Sequence, residues 1–239
     1  MICKDVPMHA LGRAARAVVA TAVVVAFAGC TSPDSGPDTT PTAAPLDAQV
    51  LRAALLQPKD LGATWEVVTQ ARPTPLVAVC GGGEEAPPVP GSPTVVSQPL
   101  TDAGSKGAQT LDQVALVYPD AAAATAGLTA LRVSAEACAT SIEVPARATP
   151  ERNEPSYTEK LTLTPLNEGE WSGFVVERHK LYDPAHPAAA DTAVVVLSMR
   201  NVVLFDAYGV YVLGAKTAAP QFGTDWRKLV GTTVRRVKA

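Results

Sequence analysis

The stretch TAVVVLSMRNVVLFDAYGVYVLGA, residues 192–215, decides the fold of this 239-residue chain. Two valine-rich runs flank Arg200 and Asn201, and a membrane-spanning helix is one interpretation of so apolar a segment. Arg200, Asn201 and Asp206 interrupt it, however, and an Arg or Asp at the centre of a bilayer costs about 2.5 to 3.5 kcal/mol on the insertion scale. The pattern therefore predicts a tight hairpin of two well-buried strands with Asn201 in the turn.

Further strands and helices are predicted before and after this hairpin. Residues 71–93 are rich in proline and glycine, which predicts a long loop. The whole pattern predicts an α+β fold, an antiparallel sheet with helices packed on one face. The predicted strands are residues 65–69, 111–118, 161–165 and 171–181. One helix is predicted over residues 47–56, and a second runs from an N-cap at Asp120 to Cys138. A C-terminal helix capped by Thr224 is predicted to bury Trp226, Leu229, Val230 and Val237.

Residues 1–29 have the three regions of a bacterial secretion signal. Lys4, Arg13 and Arg16 form a positively charged leader, the apolar run AVVATAVVVAFAG follows, and Cys30 comes next. This segment resembles the lipobox of exported lipoproteins, in which cleavage makes the cysteine N-terminal and its thiol carries diacylglycerol. The alternative is an uncleaved membrane anchor, but the run is shorter than the roughly 20 residues that span a bilayer. We therefore predict a signal peptide and lipidation of Cys30, with the membrane as partner.

The mature chain is predicted to have a tether followed by one domain. Residues 30–45 are mostly Pro, Ser, Thr, Asp and Ala, which is typical of a flexible tether, and residues 46–239 are long enough for one exported domain. The full chain carries a net charge of −3, and loss of the signal peptide lowers it to −5. The basic residues Arg235, Arg236 and Lys238 suit the end of a helix, so no nucleic-acid partner is expected.

Two cysteines, Cys80 and Cys138, remain in the domain once Cys3 leaves with the signal and Cys30 is lipidated. Outside the cytoplasm, such a pair predicts a disulfide. Two free buried thiols are the alternative, and a metal pair lacks further ligands at zinc-finger spacing. Cys138 shares a helical stripe with Leu131, so the loop that carries Cys80 is expected to fold over that helix.

Several short motifs occur together in a known group of proteins. They are Asp60-Leu61-Gly62 with Trp65, the sequence Val117-Tyr118-Pro119-Asp120 before an alanine-rich helix, and the hairpin over residues 194–204 before a C-terminal helix. In these motifs the chain resembles the PknH-like extracellular sensor domains and related actinobacterial lipoproteins. The resemblance implies a single α+β domain outside the cell membrane, with a cleft that binds an unidentified ligand. The kinase-linked members have two disulfides, whereas this chain has cysteines for one.

Little in the sequence indicates catalysis. The chain has no G-x-S-x-G or H-E-x-x-H motif, and Gly81-Gly82-Gly83 lacks the lysine of a phosphate loop, so we interpret it as a hinge. His179, Asp183 and His186 form the one cluster suited to a metal or to acid–base chemistry. Prolines at 184 and 187 argue for a surface loop instead. No catalytic residue, metal ligand or cofactor is predicted.

The function predicted from the sequence is that of a lipid-anchored extracytoplasmic binding or sensory lipoprotein without catalytic activity, which holds a small or amphipathic ligand in a cleft. Two alternatives remain open. The first is an envelope protein that docks another protein and binds no small ligand, which an exposed apolar patch would favour. The second is an exported hydrolase, which would need His179 or His186 in a pocket beside a nucleophile or a metal.

Overall fold

A computed structural model describes residues 44–70, 74–104, 107–148, 153–185, 187–214 and 221–237. The predicted signal peptide, residues 1–29, lies outside the described residues, as does nearly all of the predicted tether. The helices are α1 (Ala48–Ala54), α2 (Pro58–Leu61), α3 (Ala121–Glu136) and α4 (Phe222–Arg236), and the strands are β1 (Glu66–Val67), β2 (Thr94–Gly104), β3 (Gly107–Val117), β4 (Ser141–Val144), β5 (Arg147–Ala148), β6 (Asn153–Glu154), β7 (Tyr157–Glu168), β8 (Trp171–Tyr182), β9 (Ala188–Met199) and β10 (Val202–Leu213).

Eight of these strands form one antiparallel sheet in the order β1-β2-β3-β10-β9-β8-β7-β4. Strands β9 and β10 form the predicted hairpin, in register from Met199 opposite Val202 to Ala188 opposite Leu213. Arg200 and Asn201 make its two-residue turn, and Arg200 has a φ of 54°, in the left-handed region that such turns require. The hairpin prediction and the α+β class are confirmed.

The helices cover both faces of the sheet, so the prediction that they pack on one face is wrong. Leu131 of α3 packs against β9 residues such as Val194, whereas Trp226 of α4 packs with Val195 on the opposite face. The physical reason lies in the unbroken valine run of β9. Successive side chains of a strand point to opposite faces, so a strand with no polar alternation needs an apolar layer on each side.

Strand β2 was not predicted from the sequence. Pro99, in the middle of this strand, lacks the N–H of a normal ladder residue and argues against a strand. Its position explains why it is tolerated, because β2 has only the two-residue strand β1 on its outer side. The Pro99 carbonyl oxygen accepts a hydrogen bond from the N–H of Val68 at 3.0 Å, so the proline still contributes an acceptor on that edge.

The predicted helices form with corrected boundaries: α1 ends at Ala54 and α3 at Glu136, two residues before the ends predicted at 56 and 138. Asp47 and Asp120 cap α1 and α3 through hydrogen bonds from their side chains to backbone N–H groups, as the sequence indicated for Asp120. Helix α4 begins at Phe222, so Thr224 lies inside its first turn and is not the cap. Within the described residues, no helix is both long and apolar enough to span a membrane.

Asn201 fastens the start of the domain to the hairpin turn. The amide oxygen of Asn201 accepts a hydrogen bond from the N–H of Leu46 at 2.7 Å, and its amide nitrogen donates to the carbonyl oxygens of Leu46 and Tyr118. The side chain is 4% exposed, so these partners replace water for nearly all of its polar surface. The turn thus holds three separate segments together.

Candidate functional site: a cleft beside helix α4

The predicted disulfide forms between Cys80 and Cys138, with a Cα–Cα distance of 5.3 Å. It ties the loop after residue 73 to the chain just after the end of α3, and Leu76 and Val79 of that loop are buried in the same apolar cluster as Leu131. The described residues 74–93 contain no helix or strand, which confirms the prediction of a long loop fastened by the disulfide.

Beneath this loop lies a buried pair of opposite charges, Glu159 and Arg178. The Glu159 carboxylate is 3.8 Å from the Arg178 Nε, and it accepts a hydrogen bond from the N–H of Gly82 at 2.8 Å. The Arg178 guanidinium also donates to the carbonyl oxygen of Cys80 at 2.6 Å. A Cβ at Gly81 would collide with the Glu159 carboxyl group, so glycine is needed for this close approach. Gly81 and Gly82 therefore pack on a buried carboxylate, in the segment that the sequence suggested as a hinge.

The histidine cluster considered from the sequence is not assembled as a site. The Nδ1 atom of His179 lies 2.8 Å from the Oδ1 of Asp191, its cross-strand partner on β9. The hydrogen bond to Asp191 raises the pKa of His179, although burial opposes the shift. Asp183 accepts a hydrogen bond from the N–H of Ala185, and His186 lies outside the described residues. Among the described residues, no group of three His, Cys, Asp or Glu side chains is placed to hold a metal ion.

Asp206 is a fully buried carboxyl group on the α4 face of the sheet. Its Oδ1 atom has no hydrogen-bond partner among the described residues. Burial raises the pKa of Asp206 to about 7, because the charged form loses the solvation that water gives it. The residue pairs across the strands with Gln113 and Val195. No sequence motif marked Asp206 as unusual beyond its place in an apolar run.

A cleft of about 450 Å³ opens beside α4, and we call it the α4 cleft. One wall is formed by α2 and the turn after it, the other by one side of α4, and the sheet provides the floor. Its volume is in the range of small-molecule sites. Its lining residues are Leu56, Asp60, Leu61, Thr64, Trp65, Asp102, Gln109, Tyr208, Asp225, Lys228, Leu229, Thr232 and Arg236.

An ion pair closes one end of the α4 cleft. The Arg236 guanidinium donates two hydrogen bonds to the Asp60 carboxylate, both of 2.9 Å. This contact, together with the N–H of Gln57, lowers the pKa of Asp60 to about 2. On the floor, the Tyr208 hydroxyl donates to the Oε1 of Gln109 at 2.7 Å, and burial with the negative Asp225 nearby raises the pKa of Tyr208 to about 12.

Two smaller clefts lie elsewhere on the domain. One, of about 360 Å³, is lined by residues that follow β1 and by Ser97, Pro99 and Asp112. The other, of about 260 Å³, lies between the turn that joins β7 to β8 and the end of α4. The α4 cleft differs from both in combining an aromatic wall, several carboxylates and a lysine.

The disulfide cysteines had a signal in the sequence, whereas the cleft had none. Cys30, the predicted lipidation site, lies outside the described residues, whereas Cys80 and Cys138 are joined as predicted. The lining of the α4 cleft comes from segments that are more than a hundred residues apart, such as Trp65 and Lys228, so no local motif could reveal it. The pairing of strands across the sheet is what brings these residues together.

The domain thus has the architecture of an antiparallel sheet with helices on both faces and a polar cleft beside the last helix. Its fold is similar to the crystal structure of the extracellular domain of PknH from Mycobacterium tuberculosis, with a TM-score of 0.52 and 16% sequence identity. The likeness covers 81% of this chain and 97% of that domain. The sequence itself matches no family model and no curated protein.

Proposed function

We propose that this protein is a lipid-anchored extracytoplasmic lipoprotein that senses or carries a small ligand and has no catalytic activity. The observation that carries the proposal is the likeness of fold to an extracellular domain, which extends over 97% of that domain. The ending Ala28-Gly29-Cys30 of the predicted signal peptide supports export and attachment through a lipid on Cys30. The α4 cleft is where we place the ligand.

The chemistry of the described residues supports a binding role over a hydrolytic one. His179 is held by Asp191, as in an acid–base pair, but its ring packs edge-on against Phe222 at a centroid distance of 5.9 Å. Within the described part of the chain, no serine, threonine or cysteine side chain is hydrogen-bonded to this imidazole. A nucleophile within hydrogen-bond reach of its base is the arrangement that covalent hydrolysis requires.

Membrane attachment can be tested by a single change at the predicted lipidation site. Full-length Cys30→Ser and a matched Thr31→Ser control are expressed in a bacterial host that processes lipoproteins, and membrane and soluble fractions are compared. We expect Cys30→Ser to leave the membrane fraction while Thr31→Ser stays in it, since two or more acyl chains are needed for stable anchoring. Equal retention of both variants in the membrane would contradict the anchor.

Ligand binding can be tested on the protein from its native host. Native mass spectrometry of the gently purified full chain should show a discrete adduct of small-molecule mass. The Trp65→Ala variant, which removes an aromatic wall of the α4 cleft, should lose that adduct. A clean unliganded mass across several growth conditions would argue against the binding role.

A protein-docking function is the second candidate, and one observation favours it. Tyr211 and Leu213 are 37% and 56% exposed, and as alternate residues of β10 they share one face at the end of the sheet. Neighbouring exposed apolar side chains of this size are typical of interaction surfaces. Cross-linking in intact cells with a photoreactive residue at Tyr211 tests this candidate, and a single cross-linked envelope protein would support it.

A further inference from the structure

We propose that the α4 cleft binds a saccharide that is neutral or carries an amine. The inference rests on the proposed binding function and adds the chemical class of the ligand.

The floor of the α4 cleft is a row of side chains on β2, β3 and β10, and Trp65, just before β1, stands at one end of this row. Asp102 on β2 pairs with Gln109 on β3, and Tyr208 on β10 lies diagonally next to Gln109. The register of β1 on β2, continued by one residue, places Trp65 opposite Asp102. Residues directly opposite each other in a sheet share a face. The sheet therefore presents an aromatic, a carboxylate, an amide and a phenol in sequence.

The facing wall is one side of α4. It carries Asp225, Lys228, Leu229, Thr232 and Arg236, and apart from the adjacent Lys228 and Leu229 each lies three or four residues from the next, which places them along one stripe of the helix. This stripe provides acceptors, donors and an apolar surface opposite the row on the sheet. A ligand between the two walls would meet polar groups on two sides and an aromatic at one end.

Three of these side chains have unused hydrogen-bonding capacity. Among the described residues, the Asp102 carboxylate, the Lys228 ammonium group and the Trp65 indole N–H form no hydrogen bond or ion pair. Carboxylates accept hydrogen bonds and ammonium groups donate them, so a matching ligand must both donate and accept at several points. The hydroxyl groups of a saccharide do both, and the C–H face of its ring packs on an aromatic such as Trp65.

The charge of the α4 cleft argues against an anionic ligand. Asp60 and Arg236 neutralise each other, so the remaining charges of the lining are two negative ones, on Asp102 and Asp225, and one positive one, on Lys228. Burial and the negative charge of Asp225 both raise the pKa of Tyr208. The floor of the cleft around Tyr208 therefore disfavours a further negative charge. A phosphorylated or uronic saccharide would meet this repulsion, whereas an amine would be attracted.

The test uses the full chain, solubilised from membranes, and saturation-transfer NMR with mono- and disaccharides built from glucose, glucosamine, galactose, arabinose and glucuronate. We expect at least one neutral or amine-bearing member to receive saturation at low-millimolar concentration and the glucuronate members to bind about tenfold more weakly. An Asp102→Asn, Asp225→Asn double variant should reduce this discrimination against glucuronate, because it removes the repulsive charges.

A matched pair of variants separates the cleft from the rest of the surface. Trp65→Ala should weaken saccharide binding about tenfold, whereas Val133→Ala should leave it unchanged, since Val133 is 60% exposed on α3, across the sheet from the cleft. Asp102 and Asp225 are partly exposed and lie outside the apolar core, so their variants are expected to fold. These variants keep the test decisive if Trp65→Ala folds poorly.

The outcomes distinguish this inference from the proposed function. Absence of saturation transfer to every saccharide, with inorganic phosphate or a fatty acid bound in a Trp65-dependent manner, would overturn the saccharide class and leave the binding role standing. Preferred binding of glucuronate would also overturn it. Absence of binding by all probes, together with a clean native mass, would overturn both.

Discussion

The two faces of the sheet handle buried charge in opposite ways. On the α3 face, Glu159 and Arg178 lie close together, and the backbone at Cys80 and Gly82 supplies hydrogen bonds to both. On the α4 face, Asp206 is fully buried with one carboxyl oxygen lacking a partner among the described residues. Burial of either charge is costly, but Glu159 and Arg178 offset part of that cost through each other and through the backbone, although the Arg178 Nε atom has no hydrogen-bond partner among the described residues; the lone Asp206 carboxyl favours its neutral form. We therefore expect the α3 face to depend on its disulfide and the α4 face to depend on pH.

The largest effect is expected on the α3 face, from removal of the disulfide. The double change Cys80→Ala, Cys138→Ala should lower the free energy of unfolding by about 4 kcal/mol, because the bond closes a loop with a sequence separation of 58 residues. Urea denaturation of oxidised wild type, reduced wild type and the double variant measures this loss. If reduction leaves the midpoint of the wild type in place, the disulfide does not stabilise the loop as argued here.

The next effect concerns the α4 face and the ionisation of Asp206. The folded pKa, about 7, lies above the unfolded value near 3.9, so the folded state binds the extra proton between these values. The stabilisation that the protonated Asp206 provides is full below pH 3.9 and is lost as the pH rises through 7, with a total on the order of 4 kcal/mol.

Asp206→Asn should remove this pH dependence. Urea denaturation between pH 4 and 8 is expected to show wild-type stability falling relative to Asp206→Asn, with a plateau above pH 7. The matched control is Asp112→Asn, a carboxyl on the neighbouring strand β3, which should retain the wild-type slope since Asp206 is intact in it. If the free energies of unfolding of wild type and Asp206→Asn change in parallel with pH, the pKa of Asp206 is not raised by folding.

The smallest effect is expected from the ion pair that closes the α4 cleft. Asp60→Asn should destabilise the protein by about 0.5 kcal/mol at pH 7, because the pair lies at the surface and is screened by water. The folded pKa of Asp60 is lowered to about 2, so its contribution is present above pH 3.9 and is lost as the pH falls through 2. Thermal unfolding at low and high salt measures it, and a loss above 2 kcal/mol would assign the pair a larger structural role.

Much of the fold followed from the sequence, because its elements have local signals. The hairpin of β9 and β10 was visible as two valine runs around Arg200 and Asn201, and α3 was visible from its Asp120 cap and leucine spacing. Strand β2 was missed since Pro99 contradicts the usual strand pattern. The presence of helices on both faces of the sheet was missed, because the valine run of β9 does not indicate which helix packs on which face.

The candidate site was beyond the reach of sequence reasoning for a different reason. The α4 cleft depends on the register of the strands. The pairing of β2 with β3 places Asp102 opposite Gln109, and the pairing of β10 with β3 places Tyr208 diagonally next to Gln109. Likewise, His179 was considered with Asp183, four residues away, whereas its partner Asp191 lies on the next strand. Cross-strand neighbours have no fixed separation in sequence, so a search for short motifs does not find them.

The anchoring of Leu46 by Asn201 fixes the point at which the chain enters the domain. The chain enters the domain at the β9–β10 turn, whereas Tyr208 on the floor of the α4 cleft lies six residues along β10 from Val202, roughly 20 Å away in an extended strand. A domain attached to a membrane through the residues before Leu46 would be held by the turn end of its sheet. The α4 cleft would then lie at the far end of the sheet from that attachment.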